Sequence, residues 1–123
     1  MSDDMIELGE NLPKGCPARR RLDHVTNKWG VLVIVALAGD MLRWSGLLRA
    51  ANGISEKMLA QTLKVLADEG LVVRRALEVV PPHVEYSLTP EGREVASLLI
   101  PLVEWAARGS DLRHMSALAA EQQ

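Results

Sequence analysis

The sequence contains one cysteine, no long apolar run and none of the short motifs that carry catalysis or cofactor binding, and each lack removes a class of protein. A single thiol, Cys16, excludes an internal disulfide and a cysteine-rich zinc site. His24, His83 and His114 show no ligand spacing with it or with one another, so neither a metal nor a cofactor is expected. No stretch approaches the roughly 18 consecutive apolar residues of a membrane span, and Met1 to Glu7 lack the basic and apolar regions of a signal peptide. A cytoplasmic location without a membrane partner is expected. Also missing are a Gly-rich phosphate loop, a nucleophile with a His and carboxylate pattern, and paired acids in apolar surroundings, which argues against an enzyme.

What remains is one domain's worth of chain, 123 residues at 48% hydrophobic and 24% charged, enough to bury a core without metals or disulfides. Its formal charge of −2 conceals a strong segregation. Between Lys14 and Arg75 eleven Lys and Arg face five Asp and Glu, a balance of +6, while the remaining positions carry −8. A basic body with acidic ends fits a phosphate-facing surface, although short chains also show such excursions by chance.

Along the chain, residues 1–15 read as a loose arm, and a single domain is expected over residues 16–120. Pro17 suits a first helical position, and Leu22, Val25 and Trp29 recur at helical spacing. Asn27 ends that helix, and a nearly all-apolar helix follows over residues 28–38, stopped by Gly39-Asp40. Trp44, Leu47, Leu48 and Ala51 mark a short third helix before the turn Asn52-Gly53. Ser55 is then an N-cap for a helix over residues 55–69, with Leu59, Leu63 and Leu66 as its core stripe. Two short helices about a tight turn have the layout of a helix-turn-helix, whose second helix enters the major groove. Opposite the stripe lie Lys57, Gln61, Lys64 and Asp68, three of which can donate hydrogen bonds to bases or phosphates, though an ordinary solvated face would have the same composition.

Residues 71–88 hold two strand-like runs around Pro81-Pro82-His83, a hairpin that would form a wing and bring Arg74, Arg75 and His83 to backbone phosphates or a minor groove. Paired arginines on an exposed strand also serve simply to discourage sheet aggregation. Thr89-Pro90-Glu91 starts a helix expected to run to Arg108 with a kink at Pro101, followed by a separate terminal helix after Gly109-Ser110, all within residues 90–120. Leu98, Leu102 and Trp105, continued by Leu112 and Met115, give an apolar surface that either packs on the domain's own core or joins two subunits. The fold expected is mainly α with a small β-hairpin wing (α+β): a winged helix-turn-helix, dimeric through its N- and C-terminal helices.

These residues resemble the HxlR-type regulators, relatives of the MarR-type winged-helix proteins, over residues 16–108. The resemblance rests on Cys16-Pro17, Lys28-Trp29, Gly53-Ile54-Ser55, Leu59 through Leu63 to Leu66, and Glu69-Gly70-Leu71-Val72. Its most specific part is Val80-Pro81-Pro82-His83-Val84-Glu85-Tyr86-Ser87-Leu88-Thr89, with Gly92 and Trp105 beyond. It implies a homodimer that binds a pseudo-palindromic operator in double-stranded DNA, most often as a repressor. The surface expected to meet DNA comprises Arg49, Ser55, Lys57, Gln61, Lys64, Arg74, Arg75 and His83; the expected dimer contacts are Leu22, Leu98, Leu102, Trp105, Leu112 and Met115. Three positions depart from the family's habit: His83 stands where a basic wing residue is usual, and Trp44 and Gly46 where Phe and an acid are usual.

In several such regulators the cysteine before the first helix senses oxidants or electrophiles, so Cys16 is the candidate for an oxidant or small-molecule effector response. A thiol at a helix N-terminus, near Arg19, Arg20 and Arg21, sits where the reactive thiolate is favoured. Against this stands a purely structural Cys16, a small buried hydrophobe that fixes the first helix. The competing reading of the whole chain is a winged-helix module that binds protein and has no sequence-specific DNA site.

Overall fold

The computed structural model describes the backbone of residues 14–121 and the side chains of residues 14–109. Within them the order is α1 (Pro17–Thr26), α2 (Lys28–Gly39), β1 (Leu42–Arg43), α3 (Trp44–Ala50), α4 (Glu56–Asp68), β2 (Val72–Leu77), β3 (His83–Leu88) and α5 (Pro90–Glu121). The three strands form one antiparallel sheet in the order β1-β3-β2. This is the mainly helical, winged architecture expected.

Side chains that satisfy orphan backbone groups set the helix boundaries. Cys16 caps α1, its Sγ accepting from the Arg19 N–H at 3.3 Å, with Pro17 in the first turn. Asn27 serves two helices at once: its side-chain oxygen accepts from Gly30 N–H at 2.9 Å to start α2, and its amide donates to the His24 carbonyl at 3.0 Å to close α1. Ser55 caps α4 through Met58 N–H at 3.1 Å. Because α2 is apolar on nearly every face, it becomes the central element. Its fully buried Val33, Ile34 and Leu37 pack in one core with Leu47 of α3, Leu59 and Leu66 of α4, and Leu71. Burying each such side chain is worth about 1.5–3 kcal/mol.

The start of α5 is stitched to the root of the wing. Thr89 donates its N–H to the Leu71 carbonyl at 3.0 Å and its hydroxyl to the Gly70 carbonyl at 2.6 Å, while its Oγ1 accepts from Gly92 N–H at 3.0 Å. The helix passes so close to the residue before β2 that a Cβ on Gly92 would lie 2.1 Å from the Leu71 carbonyl oxygen.

Two expectations need correction. The C-terminal segment is one helix, Pro90–Glu121, with Pro101 inside it and no break at Gly109-Ser110. Gly and Ser cost a helix about 1 kcal/mol or less against Ala, too little to end it without a following proline. The wing is also more than a hairpin, because Leu42 and Arg43 pair with Tyr86 and Glu85 as a third strand. A two-residue strand carries no readable alternation. The side chains of Leu112 and Met115 lie outside the described residues, as do residues 1–13 of the expected arm.

Candidate nucleic-acid interface

The geometry of α3 and α4 is set by their junction. Ala51 and Ile54 are buried, and the Ile54 N–H donates to the Ala51 carbonyl at 3.0 Å. Gly53 between them takes a φ of +96°, a left-handed conformation open to glycine at little cost. A side-chain brace closes the same junction: the Trp44 indole N–H at the head of α3 donates to Glu56 Oε1 at the head of α4, 3.2 Å away. An indole at position 44 thus makes a bond that the more usual Phe lacks.

On the outer side of α4, Lys57 and Gln61 are exposed and have no hydrogen-bond partner among the described residues. Lys64, by contrast, is paired with Asp68 one turn on, Nζ to Oδ2 at 3.2 Å. Two concavities divide this face. One, of about 420 Å³, lies toward α1 and α2 and takes Gln61 with Met58, Thr62, Val65, His24 and Trp29. The other, of about 350 Å³, lies toward the wing and takes Lys64 and Asp68 with Ala60, Ala67, Trp44, Arg74 and Tyr86. Ser55 spends its hydroxyl oxygen on the helix cap, and Arg49 is exposed in the last turn of α3.

The strand register separates the two wing arginines. Arg74 stands opposite Tyr86 and Arg75 opposite Glu85, so the two side chains project from opposite faces of the sheet. Arg74 shares its face with buried Val72 and lines the cavity beside α4. On the other face Glu85 lies between Arg75 of β2 and Arg43 of β1, its cross-strand neighbours on either side. His83 opens β3, half-buried, opposite Leu77.

A cluster that the sequence does not announce joins α1 to the far end of α4. Arg21 Nε bonds Glu69 Oε2 at 3.0 Å and its Nη2 bonds Glu91, while His24 Nδ1 lies 3.0 Å from Glu69 Oε1. The hydrogen bond from Glu91 raises the Arg21 guanidinium above its ordinary value, so it stays charged at any working pH. Its members are 48 and 70 residues apart in sequence, and local pattern cannot pair them.

Leu22 of α1 and Leu98 of α5 line one groove between those helices, and Leu98, Leu102 and Trp105 are 71%, 53% and 62% exposed. The stripe therefore does not pack on the chain's own core. Among the described residues no helix is long and apolar enough to cross a membrane.

A family model described as HxlR-like helix-turn-helix matches residues 24–113. The HTH-type transcriptional regulator YtfH of Escherichia coli K12 is 47% identical over 106 residues, covering 81% of this chain and 84% of that protein. The structure of the transcriptional regulator YtfH from Salmonella typhimurium superposes with a TM-score of 0.73 at 44% identity, covering 90% of this chain and 96% of that one. The redox regulator HypR in its oxidized form gives a TM-score of 0.70 at 31% identity, covering 76% and 96%.

Proposed function

This chain belongs to the HxlR-like helix-turn-helix family and is a transcriptional regulator of the HTH type, and from that premise we propose that it represses transcription as a cytoplasmic homodimer on a pseudo-palindromic operator. The observation that carries the reading is the outer face of α4, where Lys57 and Gln61 stand exposed near the N-terminal end and without a hydrogen-bond partner among the described residues. That end is the one a recognition helix presents to base edges. Gln can bond an adenine edge twice, and Lys can reach guanine. Arg49, Ser55 and Lys64 beside it, and Arg74, Arg75 and His83 on the two faces of the wing, are the groups that would position the DNA backbone. A second copy joined through Leu22, Leu98, Leu102 and Trp105 would supply the symmetric half-site, with Leu112 and Met115 extending the seam.

Cys16 is the residue through which an oxidant would act, in line with the likeness to a redox regulator. Its sulfur caps α1, and α1 is tied by Arg21 and His24 to Glu69 at the end of α4. Oxidising the sulfur disturbs the cap and, through that tie, the seating of α4.

The test is a mobility-shift titration against the DNA upstream of the protein's own coding region, over a series of salt concentrations. A sequence-preferring shift that weakens steeply with salt is expected, and Arg75→Ala should reduce the salt slope by about one unit. A folded dimer with no preference for any upstream sequence would point to a protein-interaction module.

A further inference from the structure

The first turn of α4 carries one acid, Glu56, exposed at the head of the helix. The positive end of the helix dipole favours an anion there, which accounts for the acid but not for its tether. Glu56 Oε1 accepts from the Trp44 indole N–H at 3.2 Å, across the junction between α3 and α4. Trp44 is half-buried and packs against the core, so the donor is fixed in place. An exposed glutamate otherwise samples many rotamers. Bonded to a fixed indole it keeps to few, and the entropy of ordering it is lost before anything binds. Ser55 already caps α4, so the carboxylate is not needed for that purpose. Its second oxygen, Oε2, has no hydrogen-bond partner among the described residues. The head of α4 therefore presents a pre-positioned acceptor directly beside Lys57.

We propose that Glu56 reads cytosine in the major groove and that Trp44 is its positioning residue. The inference rests on the reading of α4 as the helix that enters the groove. Only cytosine N4 and adenine N6 donate hydrogen bonds there. Adenine sets its N6 beside the acceptor N7, which repels a carboxylate, whereas cytosine has a C–H in the corresponding place. Guanine and thymine offer acceptors and no donor. An acid at this position thus selects by repulsion as well as by attraction. Lys57, next in sequence, supplies a cation that offsets the approach of an anion to the phosphates.

The test starts from duplexes that the whole chain selects out of a random library. Anisotropy titrations at fixed salt then compare the selected duplex with its single-base variants. The wild type should prefer cytosine by about ten-fold over each other base at one half-site position. Glu56→Ala should remove that preference and bind the variant duplexes more tightly than the wild type does, a gain that a merely structural Glu56 cannot produce. Glu56→Gln should move the preference to adenine, whose edge pairs with an amide. Trp44→Phe keeps a ring against the core and deletes the donor. It should lower discrimination at that position alone, and change nothing further when added to Glu56→Ala. A Glu56→Ala protein with wild-type preference at every position overturns the assignment and leaves the regulator reading standing. Full discrimination in Trp44→Phe overturns the role of the indole. A wild type from which selection recovers no sequence refutes the regulator reading, and the assignment of Glu56 falls with it.

Discussion

At the residue scale, Lys57 and Gln61 differ from the other exposed polar groups on α4 in having no hydrogen-bond partner among the described residues. Lys64 and Asp68 can neutralise each other, and Ser55 is occupied in capping. Removing a group without internal partners leaves the fold intact and takes away only what it does outside. Lys57→Ala and Gln61→Ala should therefore keep their thermal stability. Each should weaken operator binding by about 1–3 kcal/mol and relax preference at one base position, measured by titration against a set of singly substituted operators. Folded variants with wild-type affinity and base preference would move the reading surface elsewhere. Cys16 calls for a different comparison. Serine can still cap α1, so Cys16→Ser should bind operator normally. Diamide should then change the operator affinity of the native protein and leave the serine variant unmoved, whereas equal responses would return Cys16 to a structural role.

At the scale of elements, legibility followed periodicity. The stripe Leu59, Leu63, Leu66 repeats at helical spacing and the caps at Ser55 and Thr89 are local, so α4 and the start of α5 could be read directly. β1 could not, because two residues hold no period, and the ion cluster of Arg21, His24, Glu69 and Glu91 is assembled only by tertiary packing. Arg74 and Arg75, adjacent in sequence, look like one feature until the ladder register sends them to opposite faces. The candidate site was thus legible as a list of groups and not as an arrangement. Leu63 is almost fully buried in the core, so Leu63→Ala should lower unfolding free energy by about 2–5 kcal/mol, read by urea denaturation, and affect DNA only through unfolding. Gly92→Ala places a methyl where the Leu71 carbonyl already is. A lowered melting temperature is expected, with the wing strands losing amide-exchange protection ahead of α2.

At the scale of the whole molecule, the apolar stripe on α5 is the feature that one chain leaves unfinished. Trp105 is 62% exposed in the single chain, so the large cost of truncating a buried aromatic does not apply to the isolated fold. Sedimentation at micromolar concentration should give a dimer of the 13.5 kDa chain, and Trp105→Ala should shift it toward a folded monomer. A wild-type monomer would exclude the assembly. The charge distribution is consistent with this division, since the basic balance falls over residues 14–75 and the acidic one over residues 1–13 and 76–123.

The seam between Thr89, Gly92 and the Gly70-Leu71 backbone has a further consequence for how operators diverge. It fastens the first turn of α5 to the wing root, and Trp105 lies 15 residues beyond Pro90, about 22 Å along the axis. In the proposed dimer, a change of about 10° in the angle at which the α5 helices cross near Trp105 turns each helix by about 5° and shifts the two wing roots relative to one another by about 4 Å, more than the 3.4 Å of one base-pair step. Spacer length between half-sites is then inherited through the side chains of the seam, and half-site sequence through Lys57 and Gln61. The two can drift independently. Selection for an operator with one base pair inserted at its centre should recover substitutions at Leu98, Leu102 or Trp105, with α4 left untouched.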